Sequence, residues 1–372
     1  MTAPARLVLP DALRALALGG VLLVNTMGYA SMPWGPLLGA IDPAGDWAAR
    51  VLQASVGALI QGKAYPALAF LFGMSLAWSV QDRQAQSSQR ARRRLRWLLV
   101  LGVLHGLFLY GGDILTAYAL CGLLVLPVVH APWTRLRKRL RRALWWAGTG
   151  FAIMLALTML ATLLADASAD VAPDDSLAAA PHLGAFVALN ASAYLSANTW
   201  GLVYMLPLLQ LFMLAGIAAA RLRWLTHPRW QGLREALVRR WWRRLLACNV
   251  LYGLALVGLA FAGSGWRLVL EIAGPIVCVP LSAIVLAHLA NCWAHGQRAW
   301  AAVIAPLGRC TLSVYLTNSV LCMVLLSGVG LGWQPGTVAT AALAGMVWTG
   351  ALLLARRSTR RWPLEAWLGR RA

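Results

Sequence analysis

Between clusters of arginine, this chain runs repeatedly for about 18–22 residues with almost no charge, long enough to cross ~30 Å of hydrocarbon. Ten such spans are read at roughly 12–31, 60–80, 96–112, 113–130, 143–165, 199–220, 245–263, 268–290, 303–327 and 337–355. Lipid offers no partner for a backbone N–H or C=O, so continuous apolar runs of this length must be helices. They do not alternate with period two, which excludes a membrane β-barrel. Composition agrees: 60% of the 372 residues are hydrophobic, 12% are charged, and mean hydropathy is +0.66. An average soluble domain carries about twice that charge. The expected fold is all-α: a polytopic transmembrane bundle of about 10 spans, in one integral-membrane domain over 1–372.

Net charge is +21, yet the arginines sit in short segments between the apolar runs, at 81–95, 131–142, 221–244 and from Arg356 to Arg371. That is the positive-inside pattern, and no nucleic-acid partner is expected from it. The opposing segment 166–198 holds four aspartates and no Lys or Arg. With ten spans every basic segment falls on one side, so both termini are expected in the cytoplasm and 166–198 is expected to be an acidic periplasmic loop. A bacterial inner membrane fits, with anionic lipid headgroups as partners of the basic side. Many of the 19 Trp lie near span ends, as an interfacial belt does. Five of the six cysteines fall inside spans and no CxxC occurs, so they read as packing residues. His288, Cys292 and His295 in "HLANCWAH" have poor ligand spacing, and no metal is expected.

Ionisable groups inside a span are expensive and mark function by default. "VLHGLFLYGGDILTAYAL" places His105 about ten residues into its span, roughly 15 Å deep at ~1.5 Å per residue. It reads either as a buried, hydrogen-bonded histidine or as a general base or proton carrier. Asp113 either lines up two turns above it or caps the next helix, on which Tyr118 lies. Asp11 and Arg14 share one face at the start of the first span. Arg14 is thus an ion-paired anchor or a binder of anions, and Asn25 lies three turns deeper. Lys63 opens the second span on the external side, where it reads as a snorkelling lysine, although it is the one lysine outside the basic segments. "PLGRCTLSVYLTNSVL" carries Arg309, Thr311, Ser313, Tyr315, Thr317, Asn318 and Ser319, a series too polar for a lipid-facing helix and expected to face the interior. Arg309, near the cytoplasmic end, either snorkels or joins that series.

The blocks "LPDALRALALGGVLLVN", "KAYPALAFLFGMSLA", "LHGLFLYGGDILTAYALCGLL", "LGRCTLSVYLTNSVL" and "RRWPLEAW" resemble the YeiB-like inner-membrane family, domain of unknown function 418, over about 11–370. That family is distantly similar to membrane acyltransferases of the heparan-glucosaminide N-acetyltransferase type. The resemblance implies transfer of an acyl group from cytoplasmic acyl-CoA to an acceptor at or beyond the membrane, with no resident cofactor. The acetyltransferase pattern has a histidine before its second helix. The corresponding-looking stretch here carries Gln61 and Lys63 and no histidine, a departure from that pattern, and His105 is the better base candidate in this chain.

Two function classes lead, with a lipid-binding or stress-related membrane protein without catalysis as a third. One is a membrane acyltransferase with His105 and Asp113 catalytic. In it Arg14 and Arg309 contact the donor phosphates, and Asn25, Lys63, Tyr118, Ser313, Tyr315 and Asn318 line the substrate path. The other is a proton-coupled transporter or exporter of a small or amphipathic molecule, using the same histidine and aspartate.

Overall fold

Helices account for the regular structure of the computed structural model, which describes residues 8–29, 46–80, 85–164, 177–261, 266–358 and 362–371; no strand occurs among them. In chain order they are α1 (Val8–Tyr29), α2 (Trp47–Leu59), α3 (Ala64–Ser79), α4 (Ala85–Phe108), α5 (Leu115–Val125), α6 (Trp133–Leu164), α7 (Leu183–Val203) and α8 (Met205–Leu222). The remainder are α9 (Gln231–Phe261), α10 (Trp266–Ala273), α11 (Pro275–Ala294), α12 (Ala299–Ile304), α13 (Thr311–Leu326), α14 (Thr337–Arg357) and α15 (Pro363–Arg371).

Among the described residues, six segments are long and apolar enough to cross a membrane: α1, α6, α8, α14, Pro228–Ala260 and Trp266–Ala294. The protein is a membrane protein on that ground. Each of the ten expected spans falls on a helix. Those on α5 and α13 are shorter, running Leu115–Val128 and Thr311–Leu326. Starts follow ordinary chemistry, with Pro10 and Asp11 in the first turn of α1 and Pro275 opening α11.

One expectation is corrected. Residues 183–198 of the supposed acidic loop belong to helix α7. Asn190, Ser192, Ser196, Asn198 and Thr199 dilute its hydropathy, so a search for apolar runs passes over it. The aspartates of this segment, within 166–176, lie outside the described residues. Helix α2 is a second element that the apolar runs do not announce.

Arginine clusters gather at one end of the helices that carry them, which defines an arginine-rich end and an opposite end. The first receives the starts of α4, α6 and α9 and the finish of α14; the second holds the turns 109–114 and 327–336. One very close crossing is α3 on α8. A Cβ at Gly73 would overlap the Met213 carbonyl, and one at Gly216 the Phe70 carbonyl. Only glycine lets the two backbones approach so closely, which is how membrane helices gain packing where lipid supplies no hydrophobic drive. Helix α1 packs against α3, α12, α13 and α14, and α4 against α5 and α7. That arrangement sets α1, α4 and α13 around one polar cluster.

Candidate active site

Helix α4 ends at Phe108, only three residues past His105, so the histidine lies in the last turn of its helix. The chain then reverses through Tyr110-Gly111-Gly112, and α7 covers this turn. Asn190, fully buried, accepts from the Gly111 N–H at 2.6 Å and donates to the Gly106 carbonyl at 2.7 Å. The Tyr194 ring fills the space where a Cβ of Gly106 would stand, so that glycine is required for α7 to approach.

Helix α4 does not continue to Asp113, as alignment two turns above His105 would need, yet the carboxylate both caps the next helix and reaches the ring. Its Oδ1 accepts from Leu115 N at 3.1 Å and its Oδ2 from Thr116 N at 2.8 Å, which caps α5. Oδ1 also lies 2.9 Å from Nδ1 of His105. On the far side of the ring, Nε2 is 2.8 Å from Oγ of Ser319 on α13. A neutral imidazole satisfies both partners in one tautomer: Nδ1–H donates to the carboxylate, and the serine hydroxyl donates to Nε2. The Ser319 proton has another acceptor, the Tyr315 carbonyl, but at 3.4 Å. The shorter contact to the ring wins. Both side chains of the His–Asp pair are essentially unexposed, at 1% and 0%, and Ser319 is buried.

Aromatic rings fix the imidazole. Tyr315 lies 5.0 Å away, ring centre to ring centre, and Tyr110 lies 6.3 Å away. Tyr110 is itself stacked on Tyr29, whose hydroxyl donates to the Leu109 carbonyl at 2.8 Å. One residue before Ser319, Asn318 meets Thr26 of α1 at 3.2–3.3 Å, with Cys322 alongside. Thr26 thus makes the contact to α13, and Asn25 is half-buried beside it.

The other expected site residues lie elsewhere. Arg14 pairs with Asp11 and reaches Ser75 of α3, so its local ion pair exists. Lys63 does not snorkel: it is 6% exposed, and Nζ donates to the carbonyls of Gly57 at 2.7 Å and Gln61 at 3.0 Å. Tyr118 donates to the Tyr65 carbonyl at 2.6 Å. Ser313 is held by Glu365 of α15, whose Oε1 accepts from the Ser313 N–H at 3.0 Å while Oε2 binds its hydroxyl. Arg309 is exposed, and so is Thr317. The polar series on α13 is therefore not wholly interior; Ser313, Tyr315, Asn318 and Ser319 face inward.

Ser319 is named in the polar series but not among the candidate site residues, and Glu365 is not singled out by the sequence at all. Ser319 follows Tyr315 by four and precedes Cys322 by three, so one helix face carries all three, and that spacing is the available signal. Among the described residues, no group of three His, Cys, Asp or Glu converges on a metal geometry. His288 faces Cys292 at 3.6 Å, while His295 turns to Glu235 at 3.2 Å.

Comparison with known proteins places the second half of the chain. Residues 219–372 match the family described as "Protein of unknown function (DUF418)". A relative from Bacillus acidopullulyticus, "Uncharacterized 39.9 kDa protein in amylase 3'region", is 35% identical over 120 residues, 32% of this chain and 32% of that protein. "Uncharacterized protein YeiB" of Escherichia coli (strain K12) is 32% identical over 153 residues, 40% of this chain and 37% of that protein. The chain thus spans about a third of the length of the curated relatives it matches. Ser319 and Glu365 lie within the matched residues 219–372. Over residues 219–372, then, this chain is similar to the DUF418 family, and over part of its length to YeiB.

Proposed function

We propose that the protein is a bacterial inner-membrane acyltransferase in which Ser319 carries the acyl group, His105 moves the proton and Asp113 orients the ring. One observation carries this reading: a carboxylate, an imidazole and a hydroxyl in line, at 2.9 and 2.8 Å, brought from two helices and a turn far apart in sequence. Nucleophilic serine catalysis needs those roles in that geometry, whatever the fold around them.

The steps balance. Ser319 Oγ attacks the carbonyl carbon of an acyl thioester while its proton passes to Nε2 of His105. The imidazolium returns that proton to the departing thiolate, leaving an acyl ester on Ser319. The acceptor hydroxyl or amine then gives its proton to Nε2 and takes the acyl group, and Oγ recovers a proton from the ring. Asp113 holds Nδ1–H throughout.

The acyl donor is a cytoplasmic acyl-CoA. Arg309, exposed at the arginine-rich end, meets its phosphates. From Thr311 to Ser319, α13 rises about 12 Å, a span that an extended thioester arm can cover. Arg14, already paired with Asp11, contributes less. The three site side chains are buried, so the substrate enters by displacing a neighbour, and α7 is the element covering the turn.

The test is covalent labelling. A fluorophosphonate probe applied to membranes should mark the wild-type protein at Ser319 and leave Ser319→Ala and His105→Gln unmarked. Probe-silent wild type that also fails to transfer acyl groups from acyl-CoA would end the proposal. Full function in Ser319→Ala together with loss in His105→Gln would favour proton-coupled transport instead. Orientation is checked separately: cysteine at Leu331 should react with an impermeant thiol reagent in spheroplasts, and cysteine at Ser88 only after lysis.

A further inference from the structure

At the arginine-rich end, far from Ser319, a groove of about 470 Å³ opens between α9 and the end of α11. Arg239 of α9 and His288, Asn291 and His295 line it, with Glu235 at its edge. Glu235 is occupied: it bonds His295 at 3.2 Å and accepts from Gln231 at 3.0 Å. Arg239 has no carboxylate partner among the described residues.

A second guanidinium stands behind the wall. Arg234 is fully buried, and its Nε donates at 2.9 Å to Oδ1 of the groove residue Asn291. Its Nη1 is held by the Trp224 carbonyl, while Nη2 has no partner. No carboxylate forms an ion pair with Arg234 among the described residues. A buried, incompletely bonded cation is costly unless an anion comes close to it.

The surroundings say which anion. Arg240 and Arg244 flank Trp241 at 5.7 Å each, and Trp242 lies 5.6 Å from the His288 ring. Arginine mixed with tryptophan at the foot of an apolar helix marks headgroup level. Above it, Arg243, Ala247, Val250 and Leu254 continue the face of Arg239 as an exposed stripe turning apolar. A phosphate in the groove would have its acyl chains lying along that stripe.

We propose that this groove binds the phosphate of an anionic phospholipid from the leaflet on the arginine-rich side. Arg239 and His288 contact it directly, and Arg234 supplies charge from behind. The test uses purified protein in nanodiscs of phosphatidylcholine with a minor fraction of phosphatidylglycerol, with retained lipid counted by native mass spectrometry. Wild type should retain phosphatidylglycerol selectively. Arg239→Ala and Arg239→Glu should weaken that retention by about fivefold or more, the worth of one arginine at an anionic surface. Arg240→Ala, on the rim, should change it less. Equal retention by wild type and both Arg239 variants overturns the proposal. So does wild-type binding of inorganic phosphate or coenzyme A in detergent with the same Arg239 dependence, which would assign the groove to a soluble phosphate.

Discussion

The two ends of the bundle use polar residues in opposite ways. At the arginine-rich end, Asp11 pairs with Arg14 only three residues on, and Arg309 is exposed. At the other end, His105 bonds a serine 214 residues away, with essentially no exposure. Exposed charges gain little from pairing, because water already solvates them. A buried imidazole has no such alternative, so every polar atom around it must be matched. The short-range pair at the basic end orients its helix, whereas the long-range line at the other end holds three groups in a reactive order.

Substitutions can break this contrast. The largest effect is expected from His105→Gln and Ser319→Ala, each lowering acyl transfer by about 10²–10⁴-fold, the scale of general-base catalysis. Inter-helical hydrogen bonds in membranes are worth about 0.6 kcal/mol on average, so both variants should still insert and remain folded. Thermal unfolding in detergent, measured beside activity, separates the two effects. A His105→Gln variant with wild-type turnover would make His105 a packing residue.

Asp113→Asn should follow in the same direction with a smaller loss. The amide oxygen keeps one acceptor for the α5 cap, but the charge that steadies the imidazolium is gone. Equal activity in Asp113→Asn and wild type would reduce Asp113 to a helix cap.

Glu365→Gln sharpens the comparison from the basic end. It weakens two charge-assisted bonds to Ser313, and the expected cost is about 1–2 kcal/mol of stability with probe labelling of Ser319 retained. Loss of labelling at unchanged stability would show that α15 governs the site directly. The smallest effect belongs to Arg309→Ala. An exposed charge is worth about 0.2–1 kcal/mol, so KM for acyl-CoA should rise by at most about fivefold while labelling is unchanged.

The sequence by itself determined the class of the molecule. Long uncharged runs between arginine clusters admit only helices in lipid, and the lone His and Asp in such a run had to lie in a polar interior. Both follow from solvation energies that depend on local composition. It also located the polar series on α13 without saying which hydroxyl mattered. Tertiary structure decided that His105 meets Ser319 and not Tyr118 or Lys63, because the choice depends on how α4 and α13 are rotated about their axes. It decided that Asp113 serves as cap and partner together, since the chain reverses at Gly111 and Gly112. It turned Lys63 inward and left Arg309 outside, and made a helix of 183–203. Composition registers how polar a segment is; only packing determines which neighbour is there to receive each polar atom.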